Sequence, residues 1–296
     1  MSDTGDIDRR VWKLFDGYVH GTLSRREFLD RAAKLTATGV SAATLLATLS
    51  PDYALAQQVD PDDPSISTDY KKYASPKGAG VMNGYFARPA VTDHKLPVVV
   101  VIHENRGLNP YIEDVARRVA VAGFIGFAPD ALTPLGGYPG NDDDGRAMQR
   151  ERDVEEMTED FIAAVKFARE HPDSNGRVGV VGFCFGGGMV LRLAVRLPDL
   201  DAGVSFYGRH PDGAEAASIK APIMLNHAEL DERVNASWPG FKEGLEAAGI
   251  SYVHHDYEGA QHGFHNDTTP RYDEKAAELA WRRTVEFFEK HLMTDD

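Results

Sequence analysis

The run Leu96-Pro97-Val98-Val99-Val100-Val101-Ile102-His103 carries no polar side chain before its histidine. A β-branched run without alternation is what a strand buried on both faces looks like, and such a strand needs a covering layer on each side of its sheet. Pro97 falls at the start, where a missing N–H is tolerated. The same reading predicts a leading strand over Val81 to Arg88, then strands over Phe124 to Ala128, Arg177 to Phe183, Ala202 to Phe206, Pro222 to Asn226 and Tyr252 to Tyr257. Helical spacing predicts helices over Tyr111 to Ala122, Met148 to Glu170, Phe185 to Leu197 and Asp273 to Leu292. Strands alternating with helices imply an α/β fold, a mostly parallel central sheet with helices on both faces. Ligands in such sheets bind beyond the carboxyl ends of the strands.

With 296 residues, 42% of them hydrophobic, the chain is long enough for one large core. A formal charge of −14 with no long Lys/Arg run excludes the electrostatics of nucleic-acid binding and of polybasic membrane anchoring. A small molecule is the expected partner. The single cysteine rules out internal disulfides, so that thiol needs its own explanation.

The first 56 residues differ from the rest. Ser24-Arg25-Arg26-Glu27-Phe28-Leu29 is a twin-arginine pattern, followed by an apolar stretch from Ala32 to Leu49 and by Ala54-Leu55-Ala56, a small-x-small site for signal peptidase. The order predicts a twin-arginine export signal cleaved after Ala56, and hence a periplasmic protein. Lys34 interrupts the apolar stretch, and Val11, Leu14, Phe15 and Tyr18 have the spacing of one helical face. The alternative is a retained helical hairpin over Asp6 to Leu49, with Ser24 capping its second helix, in a cytoplasmic protein. Residues 57–68, rich in Asp, Pro and Ser, are expected to link this region to a domain spanning 69–296.

Gly182-Phe183-Cys184-Phe185-Gly186 follows a predicted strand and opens a predicted helix, the context of a nucleophile elbow with Cys184 at its tip. A helix N-terminus favours a thiolate, and a thiol is a better nucleophile than a hydroxyl near neutral pH. The bland alternative, a small buried apolar cysteine beside a glycine turn, leaves its position unexplained. A dinucleotide loop would need G-x-G-x-x-G, which is missing. Asp231, after the strand ending at Asn226, and His262, after the strand ending at Tyr257, follow in the chain order of an α/β-hydrolase triad, with Glu229 as rival acid. His262 would exchange the proton while Asp231 fixes its orientation. No metal or cofactor is expected: His254 and His255 point to opposite faces of a strand, and His262 with His265 lacks a third ligand.

With these motifs, and with Ile102-His103-Glu104-Asn105-Arg106-Gly107-Leu108-Asn109 and His262-Gly263-Phe264, the domain resembles the dienelactone hydrolase (carboxymethylenebutenolidase) family of α/β-hydrolases. The resemblance implies ester or lactone hydrolysis through a Cys-His-Asp triad and an acyl-enzyme. It also implies that Glu104 gates the resting thiol and that the backbone N–H groups of Asn105 and Phe185 form the oxyanion hole. The arginine that family members place shortly after the histidine to grip a substrate carboxylate is missing from Phe264-His265-Asn266-Asp267. Arg271, Arg106 or one of Arg146, Arg150 and Arg152 could replace it, each being otherwise read as a surface charge. The segment Leu135 to Arg146 is expected to border the pocket as a loop. Competing functions are a broad-specificity carboxylesterase and a catalytically silent binding protein on the same fold.

Overall fold

The computed structural model describes residues 7–35 and 41–293. Part of the apolar stretch after the arginines, residues 36–40, and Asp6 lie outside the described residues. Eight strands form one sheet in the order β1 (Ile66–Ser75), β2 (Gly80–Pro89), β4 (Ile125–Pro129), β3 (Leu96–Ile102), β5 (Ser174–Phe183), β6 (Ala202–Phe206), β7 (Ile223–Ala228) and β8 (Tyr252–Tyr257). The pairings β1 with β2 and β2 with β4 are antiparallel, and all others are parallel. This is an α/β-hydrolase sheet.

The β3 run does what its composition demands. Val99 and Val101 enter the core under α4 (Pro110–Val121) and α10 (Glu274–Leu292), while Val98, Val100 and Ile102 enter the core under α6 (Val154–Glu170) and α7 (Phe185–Arg196). Both layers exclude water from the strand.

The sequence reading missed several elements. Strand β1, at a sheet edge, buries only Ile66, Tyr73 and Ser75, so it has no apolar run to announce it, and it takes in Ile66–Thr68 of the expected linker. The helix expected over Met148 to Glu170 is two helices, α5 (Asp142–Glu151) and α6. Asp153 breaks it by accepting from the N–H groups of Glu155 and Glu156, both at 2.9 Å, as the N-cap of α6. Most of the Leu135 to Arg146 loop therefore precedes α5, whose first turn holds Asp142, Asp143 and Asp144. The short helix α8 (Glu232–Asn235) and α9 (Trp238–Ala247) were not foreseen.

At the N-terminus, α1 (Arg9–Val19), α2 (Arg25–Ala32) and α3 (Ala42–Leu49) share a small core of their own, including Val11, Phe15, Tyr18, Phe28, Leu46 and Leu49. Ser24 caps α2 in a reciprocal box with Glu27. The chain then runs along α4, where Asp114, fully buried, accepts from Val59 N–H at 3.0 Å and pairs with Arg117 and Arg118. Asp114→Ala leaves two buried guanidiniums without their shared carboxylate, and is expected to cost on the order of 3–5 kcal/mol in urea unfolding. Glu232→Ala, which removes only exposed pairs with Arg9 and Lys13, is expected to leave the urea midpoint little changed.

Candidate active site

The sharp turn between β5 and α7 is made possible by glycines. A Cβ on Gly182 would sit 2.2 Å from the Gly186 carbonyl oxygen, and one on Gly186 would sit 2.2 Å from that of Ile102. Helix α7 therefore begins directly against β3 and β5, and Cys184 is held at φ 55°, a left-handed conformation that a non-glycine residue rarely adopts. Its side chain is 7% exposed, at the carboxyl edge of the sheet.

The other candidates converge on it. Asp231 follows β7, where its Oδ1 accepts from Val234 N–H at 3.1 Å and its Oδ2 meets Nδ1 of His262. The turn after β8 carries His262, and Leu230 N–H donates to the Ala260 carbonyl at 3.0 Å, locking the two loops together. Glu229, the rival acid, is exposed and accepts from Gly259 N–H at 2.7 Å, away from His262. With Nδ1 engaged by Asp231, His262 leaves a buried Nε2 that makes no hydrogen bond among the described residues, with the imidazole within 4.8 Å of Sγ. Burial opposes charge on His262, but Asp231 and the Cys184 thiolate more than offset it and raise its pKa from 6.5 to about 10. Burial likewise opposes a thiolate at Cys184, yet His262 and then His20 lower its pKa well below the ordinary value.

Glu104, at the end of β3, is buried between Arg106 at 3.2 Å and Asn266, whose Nδ2 donates at 3.1 Å. Burial raises its pKa, partly against Arg106 and together with the negative charge of Cys184. The Phe185 N–H lies in the first turn of α7, where a helix has no internal acceptor for it. The Asn105 side chain donates to the Val19 carbonyl at 2.8 Å.

The arginines read as surface charges are mostly interior. Arg106, Arg146, Arg152 and Arg271 are all buried. Arg106 spans Glu104 and Asp142, Arg146 pairs with Asp143, and Arg152 reaches Asp160 beneath the Ala131 carbonyl. The carboxylates around them compensate the desolvation that sequence alone could not foresee. Two cavities meet at Cys184: one of about 320 Å³ beside Glu104, Arg106, Tyr138 and Arg271, the other of about 570 Å³ beside Asn105, Phe185, Met189 and Tyr207.

Sequence reasoning missed Asp16 and His20. His20, just after α1, has Nε2 3.4 Å from Sγ, and its ring lies edge-on to that of His262. The only trace in the sequence was the Asp16–His20 spacing of one helical turn. These imidazoles and Sγ could in principle hold a metal, but the Arg233 guanidinium stands 2.8 Å from His20 Nε2 and opposes a cation there. A second cluster, His227, His254 and Asp256, is likewise better explained without metal. The chain His210–His227–His254 is joined by two 2.9 Å hydrogen bonds, and burial lowers the pKa of His210 to about 4 and of His227 to about 3. His255 does not join it, and His265 is buried against the Tyr111 hydroxyl at 2.7 Å.

Residues 82–292 match the dienelactone hydrolase family, and residues 2–34 match a second family described as YqhI-like. The "Putative hydrolase fragment YghX" of Escherichia coli is 57% identical over 114 residues, covering 38% of this chain and 97% of that protein. A "Putative carboxymethylenebutenolidase" of Methylorubrum extorquens is 29% identical, covering 86% of this chain and 94% of its own. In fold, a "Putative Dienelactone Hydrolase" structure from Klebsiella pneumoniae superposes with TM-score 0.67 at 23% identity, covering 76% of this chain and 99% of its own. Because the family match runs from β2 to α10 and takes in the elbow and the loops that carry Asp231 and His262, the chain belongs to the dienelactone hydrolase family, hydrolases of esters and lactones.

Proposed function

We propose that the protein cleaves a small ester or lactone by acyl transfer to Cys184. The observation that carries this reading is a strained elbow thiol within 4.8 Å of the imidazole of a histidine whose Nδ1 is held by Asp231. Sγ attacks the carbonyl carbon, and the oxyanion is received by the backbone N–H groups of Phe185 and Asn105. His262 takes the thiol proton and gives it to the departing alkoxide. It then deprotonates water, which attacks the thioester, releases the acid and restores the thiol. The two cavities offer separate room for the acyl and alcohol portions. Broad carboxylesterase activity suits the loss of the expected clamp, since Asn266 is engaged by Glu104, and Arg106 and Arg146 are engaged by carboxylates. Glu104 opposes the nearby thiolate through its charge.

Export by the twin-arginine route rests on Arg25-Arg26 and the order of segments that follow. Ala56 is buried and its carbonyl accepts from Arg117 at 3.3 Å, so cleavage there requires this segment to lift from α4. No helix among the described residues is long and apolar enough to cross a membrane. Protein recovered from the periplasm is expected to begin at Gln57; a full-length mature chain would overturn export.

Cys184→Ala is expected to lower turnover of a chromogenic short-chain ester by more than about a hundredfold with the unfolding temperature little changed, and Cys184→Ser to be weak. Retention of activity above about a hundredth of wild type would exclude the covalent role. Glu104→Gln is expected to lower the thiol pKa and speed iodoacetamide labelling of the resting enzyme; unchanged labelling at every pH would remove Glu104 from control of the thiol. The Asp231–His262 pair predicts a pH-dependent stability. His262, raised from 6.5 to about 10, contributes fully below pH 6.5 and loses that contribution as the pH rises through about 10. Asp231, lowered from 3.8 by His262 against burial, contributes above that value and loses its contribution as the pH falls through its folded value. The thermal margin of wild type over Asp231→Asn is therefore expected to be widest between pH 3.8 and 6.5 and to close toward about pH 10.

A further inference from the structure

The N-terminal helices reach the nucleophile, and what they bring to it is volume. His20, just after α1, stands with Nε2 3.4 Å from Cys184 Sγ. Both of its ring nitrogens are engaged elsewhere: Nδ1 donates to the Asp16 carbonyl at 2.9 Å, and Nε2 accepts from the Arg233 guanidinium at 2.8 Å, so it has no hydrogen to give the sulfur. A carbonyl carbon must come within about 3–3.5 Å of a nucleophile before the bond forms, and the imidazole fills that place. Its ring stands edge-on to that of His262 with centres 4.9 Å apart, so it crowds both the thiol and its base. Beside it, the Val19 carbonyl holds the Asn105 side chain at 2.8 Å, and Phe15 and Val19 wall the smaller cavity. Cys184, Asp231 and His262 all lie within the family match of residues 82–292, which these helices precede entirely.

We propose that the N-terminal helices α1–α3 are an autoinhibitory cap: the full-length chain is a latent form, and Cys184 opens to substrate only when the cap leaves the hydrolase domain. The way the cap is held suits release. Its buried apolar residues pack on one another, and among the described residues no member of the hydrolase domain joins that cluster. Polar and cation–aromatic contacts join the two parts instead. Arg25 pairs with Asp143 at 2.8 Å, and Asp16 stands 3.5 Å from Arg233 and 3.6 Å from Arg271, whose guanidinium packs 4.8 Å from the centre of the Phe15 ring. Arg25, Asp143 and Arg233 are each more than a third exposed, and ion pairs of that kind contribute little. Undocking therefore costs far less than opening a core. The cap also fits the export reading, because every one of its residues precedes Ala56 and cleavage there would deliver an uncapped enzyme.

The inference rests on Cys184 as the nucleophile, yet its test reads access apart from chemistry. Full-length wild type is compared with Asp16→Arg and with Asp16→Arg combined with Arg25→Glu. The first change sets a cation against Arg233 and Arg271, the second a carboxylate against Asp143, and neither side chain belongs to the apolar cluster of the helices. Each protein is labelled at one pH with iodoacetamide and with the bulkier iodoacetamidofluorescein, so that the ratio of the bulky to the small rate cancels any change in thiolate fraction. In the double variant that ratio is expected to rise at least about tenfold as the open population grows, with kcat/KM for a chromogenic ester rising in step. Asp16→Arg should move the same way by less, and Arg26→Glu, at a side chain 92% exposed, should match wild type. The proposal is overturned by a ratio unmoved in both variants, by an equal rise in Arg26→Glu, or by access gained without faster hydrolysis in a protein that cleaves esters. If the double variant does not fold, judged by near-ultraviolet circular dichroism, Asp16→Arg decides by the same criterion. A raised ratio in a protein that hydrolyses no ester in any form would sink the hydrolase reading and leave the cap standing; hydrolysis with an unmoved ratio would do the reverse.

Discussion

The site depends on how closely the start of α7 lies against the sheet. Gly182 and Gly186 let the helix begin where any side chain would collide with backbone oxygen, and the packing that results keeps Cys184 in a left-handed conformation. Strain of this kind, of order 1–3 kcal/mol, persists only where surrounding structure over-determines it. Here β3 and β6 on either side of β5 supply that constraint.

Around this fixed point the interior is charged. Burial alone would neutralise Cys184, His262, His20, Asp231 and Asp16, since taking an ion from water is costly unless partners replace the solvent. Their neighbours favour the charged forms instead: His262 and His20 lower the pKa of Cys184, His262 lowers that of Asp231 and His20 that of Asp16, each against burial, and the same partners raise those of the two imidazoles. Glu104 and Arg106 continue the pattern into the smaller cavity, where Asp142 takes the second face of the guanidinium. Removing one member changes the electrostatics of the others. Such coupling lowers the pKa of a thiol even in a site that is almost closed to water.

The N-terminal helices join this network rather than merely lying over it. Their apolar core is their own. Their docking onto the domain is ionic and aromatic instead: Arg146 over Tyr18, Arg271 over Phe15, and Asp16 near both Arg233 and Arg271. A contact built this way can be lost without opening the core of the hydrolase domain.

The sequence by itself determined most of the sheet and the chain order in which Cys184, Asp231 and His262 follow its strands. An uninterrupted β-branched run can only be a strand covered on both faces, and an elbow flanked by glycines can hold one side chain only, at its tip. Asp231 and His262 were legible because strand ends recur in fixed chain order in this fold. Strand β1 was not, because an edge strand with one wet face lacks an apolar run, and neither was the break at Asp153, which depends on a local cap within a charged stretch. What only the tertiary structure decided was which distant charges meet. Arg106, Arg146 and Arg271 look like surface residues until Asp142, Asp143 and Asp16 are brought beside them. His20 lies 164 positions from Cys184, and no local pattern records the docking of one helical hairpin that places its imidazole on the sulfur.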